Sequence, residues 1–65
     1  MTANNNRLKA ARVLKGITQR QLADKVGLKE IDVSRIETGR VVPDLQMKRL
    51  IAEVLDKRTW ELFEA

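Results

Sequence analysis

Four residues in the stretch "GLKEIDVSRIETGR", Gly27 to Arg40, carry polar and apolar chemistry at helical spacing. Glu30, Ile31, Ser34 and Arg35 recur at i, i+1, i+4 and i+5, which places them on one helix face, with Val33 and Ile36 on the opposite face. A carboxylate accepts hydrogen bonds, a guanidinium donates them in a planar fork, a hydroxyl does either, and isoleucine offers apolar contact. Such a set reads another molecule by contact. Catalysis lacks its parts: the chain has no His, no Cys and a single serine, so no nucleophile–base constellation and no His or thiolate metal site can be assembled. The sequence therefore predicts no enzyme, no cofactor, no metal and no small-molecule ligand.

The elements that must hold this face are helices. Apolar residues recur at helical spacing almost throughout, and Gly16, Gly27 and Gly39 each follow a periodic segment, where glycine tolerates the left-handed conformation that ends helices. A first helix is predicted from about Asn6 to Lys15, with Leu8, Ala11 and Leu14 inward. A second starts at Thr18, where "TQRQLA" reads as a capping box between Thr18 and Gln21, and buries Leu22, Ala23 and Val26. The third begins near Lys29. The fourth starts at Asp44, a good N-cap after Pro43, with Met47, Leu50, Ile51, Val54 and Leu55 on its core face. A short fifth starts at Thr59 and presents Leu62 and Phe63. The 65 residues make one domain, and the first five read as a loose N-terminal end.

The short glycine-containing turn between the second and third helices has the geometry of a helix-turn-helix. Ala23 supplies the small residue that close packing needs, Gly27 the turn, Leu28 the apolar residue after it, and Val33 and Ile36 the inward anchors. In this motif the second helix of the pair enters the major groove. The outward face then has a purpose. Arg35 can pair with guanine O6 and N7, Glu30 can accept from cytosine N4, Ile31 can pack on a thymine methyl, and Ser34 can bond a base or a phosphate. Gln19 stands at a helix N-terminus, a natural phosphate site, and Lys29 and Arg40 flank the third helix as further candidates for phosphate.

Net charge agrees with a polyanionic partner. The chain is +4 overall, and residues 1–16 hold Arg7, Lys9, Arg12 and Lys15 with no acid. No apolar run reaches the length of a membrane span and no signal peptide is visible, so a cytoplasmic location and no membrane are expected. A fold this small is often stabilised by a second subunit. Val41, Val42 and Trp60 exceed what its core can hide, and they are the candidate dimer surface.

From Arg12 and Gly16 through "TQRQLADKVGL", "VSRIETGR", Pro43, "LIAEVL" and "WELF", the chain resembles the Cro-like phage-repressor helix-turn-helix family, also called the xenobiotic-response-element family. The resemblance spans about residues 7–63. It implies an all-α, five-helix, lambda-repressor-like fold and a cytoplasmic transcriptional regulator, a repressor, that binds a near-palindromic operator in double-stranded DNA as a homodimer. It also implies a structural ion pair between Arg12 and Glu37, and it favours the phosphate role for Gln19. Two positions depart from the pattern. Lys29 stands where the family usually has Ser or Thr, and lysine has no acceptor with which to cap a helix. Asp32 in the first turn partly offsets this through the helix dipole. Glu30 stands where a neutral polar residue is usual, which puts sequence preference in question.

Competing readings remain for single residues. Arg35 has Asp32 and Glu30 within reach for a local salt bridge, Ile31 has the option of burial, and Glu30 has the option of rejecting sequences without a cytosine donor. The competing reading for the whole chain is a helix-turn-helix protein-interaction module, an antitoxin-like or regulatory partner that does not read DNA.

Overall fold

The computed structural model describes residues 4–63. Among these residues there are five helices and no strand: α1 (Asn6–Lys15), α2 (Gln19–Val26), α3 (Glu30–Glu37), α4 (Leu45–Val54) and α5 (Thr59–Phe63). Helix starts are capped by the residues the sequence offers. Asn5 Oδ1 accepts from the Leu8 N–H at 3.0 Å, and Asp44 Oδ1 accepts from the Met47 N–H at 2.8 Å. Thr18 and Gln21 form a reciprocal capping box, with Gln21 N–H donating to Thr18 Oγ1 at 3.0 Å and Thr18 N–H to Gln21 Oε1 at 2.8 Å. At the start of α3 only half of that arrangement exists. Lys29 makes no side-chain cap, and the Asp32 carboxylate accepts from the Lys29 N–H at 3.1 Å.

The turn between α2 and α3 is fixed by its backbone. Gly27 has φ +77°, and a Cβ there would meet no atom within 4 Å, so the site needs glycine for its left-handed backbone and not for space. Leu28 N–H donates across the turn to the Ala23 carbonyl at 2.9 Å. Leu22, Ala23 and Val26 of α2 and Val33 and Ile36 of α3 are buried in a core shared with Leu8, Ala11, Ile51, Ala52, Leu55 and Leu62. Helix α2 packs on α3 and α4, α1 packs on α5 and α3, and α4 packs on α5. Lys48 Nζ lies 5.6 Å from the centroid of the Phe63 ring, a cation–π contact between α4 and α5.

Three expectations need correction. Leu14 is 85% exposed and not inward. The inward positions of α1 are Leu8, Ala11 and Arg12, and six residues from Leu8 the helix has turned away by about 240°. Leu50 is exposed, while its neighbours Ile51 and Ala52 are buried. Asn5 is no loose end, because it caps α1 and its N–H donates to the Glu37 carbonyl at 2.7 Å. The other part of that expectation, residues 1–3, lies outside the described residues.

One surface pair ties the end of α1 to the turn after α4: Lys15 Nζ bonds the Asp56 carboxylate. That hydrogen bond, with the lysine charge, holds the Asp56 carboxyl below its ordinary value. Asp56 has φ +56°, the one non-glycine residue with positive φ among the described residues.

Candidate nucleic-acid interface

Helix α3 separates two chemistries. Val33, Ile36 and Glu37 are buried, while Glu30, Ile31 and Arg35 are exposed and Ser34 is half-buried. Ile31 is 52% exposed, so the burial open to it in the sequence is not taken. Arg35 forms no ion pair among the described residues, and Asp32 bonds the Lys29 backbone instead. The outward face therefore holds a carboxylate, an aliphatic group, a hydroxyl and an available guanidinium within two helical turns.

The C-terminal end of α3 is held firmly. Thr38 Oγ1 donates to the Ser34 carbonyl at 3.0 Å and lies 3.2 Å from the Arg35 carbonyl. The N–H groups of Arg40 and Val41 both reach the Arg35 carbonyl, at 2.9 and 3.2 Å. These bonds occupy carbonyls that a helix end otherwise leaves without partners. They also fix where Arg40 and Val41 leave the helix.

Beneath the face lies a buried charge cluster. Arg12 Nε donates to Glu37 Oε2 at 2.6 Å, Nη2 to Glu37 Oε1 at 3.3 Å, and Nη1 to the Ile17 carbonyl at 2.9 Å. Both residues are more than nine-tenths buried. Gln19, at the first position of α2, donates from Nε2 to Glu37 Oε1 at 3.0 Å. Sequence reasoning placed Gln19 toward phosphate and missed this bond; the signal available, a glutamine beside a buried glutamate, exists only once the helices are assembled.

The cations divide into two groups. Arg12 and Lys15 are neutralised inside the molecule, so the N-terminal excess is smaller at the surface than the sequence alone implies. Arg20, Lys25, Lys29, Arg35 and Arg40, on or beside α2 and α3, are exposed and form no ion pair among the described residues. Val41, Val42 and Trp60 are exposed, Val42 at 77% and Trp60 at 59%. Val41 lies beyond α3 with its N–H tied back to the Arg35 carbonyl, and Trp60 belongs to α5, which packs on α1 and α4. Val13 and Leu45, which the sequence pattern did not single out, are also exposed, as is Leu14. Leu45 is the first residue of α4, two positions ahead of Met47, the first inward residue of that helix.

A capped α2, a glycine turn closed by a backbone bond, and an α3 with one buried and one open face define a helix-turn-helix. Residues 8–62 match the family model described as "Helix-turn-helix", and the chain belongs to that family, in its Cro/CI-type form. It is 35% identical over 57 residues to an uncharacterized HTH-type transcriptional regulator of Archaeoglobus fulgidus, covering 88% of this chain and 81% of that one. The fold is similar to the restriction-modification controller protein C.AhdI from Aeromonas hydrophila, with TM-score 0.83, 34% identity, and coverage of 91% and 86% of the two chains. It is also similar to the hypothetical transcription factor NHTF from Neisseria, with TM-score 0.79, 30% identity, and coverage of 86% and 64%. The family is one of DNA-binding transcriptional regulators.

Proposed function

We propose that this protein is a sequence-specific transcriptional repressor that binds a near-palindromic operator as a homodimer, with α3 in the major groove. The observation that carries the reading is the outward face of α3, where Arg35 is exposed, without an ion pair among the described residues, next to Ser34, Ile31 and Glu30. Arg35 donates to guanine, Glu30 accepts from cytosine, Ile31 covers a thymine methyl and Ser34 bonds a base or a phosphate. Gln19, Lys29 and Arg40 engage phosphates on either side and set the register of the helix on the duplex. Arg12 and Glu37 serve the fold.

A single α3 touches too few base pairs to define a site in a genome, and a twofold pair doubles the readout. Val41, Val42 and Trp60 supply apolar surface for that pairing. The similarity to a restriction-modification controller favours that setting, with a phage or mobile-element repressor and an antitoxin as the others. Location follows from the partner: the protein acts on DNA in the cytoplasm.

Selection of bound duplexes from random DNA tests the reading. Two half-sites with centres about 10 base pairs apart are expected, because both helices must meet successive major grooves on one face. Inserting five base pairs, about half a turn, between them should abolish tight binding. Arg35→Ala should relax preference at one base pair per half-site, at a cost of roughly 1–3 kcal/mol there. A chain that selects no sequence, or an Arg35→Ala variant that behaves as the parent does, would favour a protein-interaction module instead.

A further inference from the structure

The bond from Gln19 to Glu37 has no counterpart in the reading above, which gives Gln19 to phosphate and Glu37 to the fold. Its position in the motif is informative. Helix α3 is attached to α2 at two places by directional bonds. Near its start, Leu28 N–H closes the turn onto the Ala23 carbonyl. At its last residue, Glu37 receives the Gln19 amide from the first residue of α2. Between those places the contact is apolar, made by Leu22, Ala23, Val33 and Ile36. Apolar contact is non-directional and resists sliding less than hydrogen bonds do.

Helix geometry sets the size of the effect. From Glu30 to Glu37 the helix axis runs about 10 Å at 1.5 Å per residue, with Arg35 about 7.5 Å along it. A 1 Å displacement at Glu37 thus tilts α3 by about 5° and moves the Arg35 backbone by roughly 0.7 Å. Bidentate recognition demands placement within about 0.5 Å. A displacement of that size at Glu37, which Arg12 and the Asn5 N–H also hold, is enough to decide whether Arg35 meets its base.

We propose that Gln19 is a positioning residue for base readout: through its amide bond to Glu37 it sets the tilt of α3, and so couples the phosphate-facing start of α2 to the helix that reads sequence. The proposal rests on the DNA-binding reading above. An amide has two N–H groups and a carbonyl, so donating one N–H to Glu37 leaves the others for a phosphate. Gln19 is in that way able to serve both ends of the coupling. Arg12 holds the same carboxylate from α1, so replacing Gln19 leaves Glu37 its ion-pair partner.

The test uses Gln19→Met, which keeps length and helix preference without the bond, and Gln19→Glu, which turns a carboxylate toward Glu37. Each is titrated against the duplex selected by the parent and against a scrambled duplex, at one salt concentration, with melting measured in parallel. For Gln19→Met the ratio of the two affinities should fall about ten-fold, the factor that corresponds to roughly 1.4 kcal/mol. For Gln19→Glu the ratio should be low at about pH 8 and rise as pH falls toward about 4, where a proton on the introduced carboxyl lets it donate to Glu37 as the amide does. The groups facing this carboxyl are Glu37 of α3 and Arg12 of α1, and the parent has no His to titrate in that window. An equal loss on both duplexes makes Gln19 a phosphate contact alone and overturns the coupling. A lower melting point with the ratio unchanged overturns it as well. A parent that does not discriminate between the duplexes overturns the DNA-reading proposal itself. A discriminating parent with equally discriminating variants overturns only this one.

Discussion

Replacing Arg12 by alanine should behave as a folding defect. The guanidinium makes two bonds to Glu37 and one to the Ile17 carbonyl, and it is 8% exposed. Alanine removes all three donors. Glu37, 5% exposed, keeps only the Gln19 amide on its carboxylate, and the Ile17 carbonyl loses its Arg12 partner. Stranding one member of a buried pair costs about 3–5 kcal/mol. At 0.05–0.15 kcal/mol per residue, a domain of this size has a total stability of about 3–10 kcal/mol. The variant should therefore lose about a third or more of that stability. For a domain this small each kcal/mol moves the melting temperature by about 4–8 °C, so a loss of more than about 12 °C is expected. The comparison is Arg12→Met/Glu37→Leu, which removes both charges and keeps volume; such replacements are often neutral or stabilising. Circular dichroism melts of parent, single and double variants at neutral pH give the answer. If Arg12→Ala melts with the parent, or if the double variant is no more stable than the single one, the cluster does not hold α1 to α3 in the way described.

Further outcomes follow from other bonds. Lys29→Ser supplies α3 with the side-chain acceptor it lacks, and melting should rise by the equivalent of roughly 1 kcal/mol. The logarithm of DNA affinity should decline linearly with that of salt concentration, and Lys29→Ala should shrink that slope by about one unit while lowering affinity for all sequences alike; a salt series on one duplex checks both. Lys15 lowers the Asp56 carboxyl below its ordinary 3.8, so their contribution is present above that value and is lost as pH falls through the lowered one. The melting gap between the parent and Lys15→Met should then close in acid, as a pH series of melts would show. Asp56→Val forces a β-branched residue to φ +56° and should melt below Asp56→Gly.

Much of this architecture is visible in local sequence. Thr18, Gln21, Asp44 and Gly27 act within three or four residues of themselves, and the backbone positions they dictate follow from their own chemistry. The stripe Leu22, Ala23, Val26, Val33 and Ile36 is legible for a similar reason, since both helices lie wholly against the core. Leu14 and Leu50 are different. Both continue an apolar rhythm, yet α1 and α4 have neighbours over only part of their circumference, so the rhythm outruns the cover. Ala52 is the converse: a small residue with little hydrophobic signal, buried because α4 lies against both α2 and α5. The outward set on α3 follows from spacing alone, and the structure leaves it accessible. The Arg12–Glu37 pair spans 25 residues and no local rule joins them; the family resemblance supplies it. The Gln19 bond was beyond either source, because a long side chain at a helix start chooses its partner from whatever the third dimension brings near.

The closed turn between α2 and α3 has a further consequence. A bond from Leu28 to Ala23 across Gly27, together with the ties at Glu37, makes the helix pair a preformed unit with little backbone freedom to lose on binding. Loss of such freedom is a main cost of association, and a unit that has already met it binds with more of its contact energy intact. A rigid reader does not follow irregularities in the duplex. The bending and twisting needed for fit then fall on the DNA, whose resistance depends on its base steps. In the proposed twofold complex, part of the preference then belongs to base pairs that no side chain touches, through the stiffness of the spacer between the two half-sites.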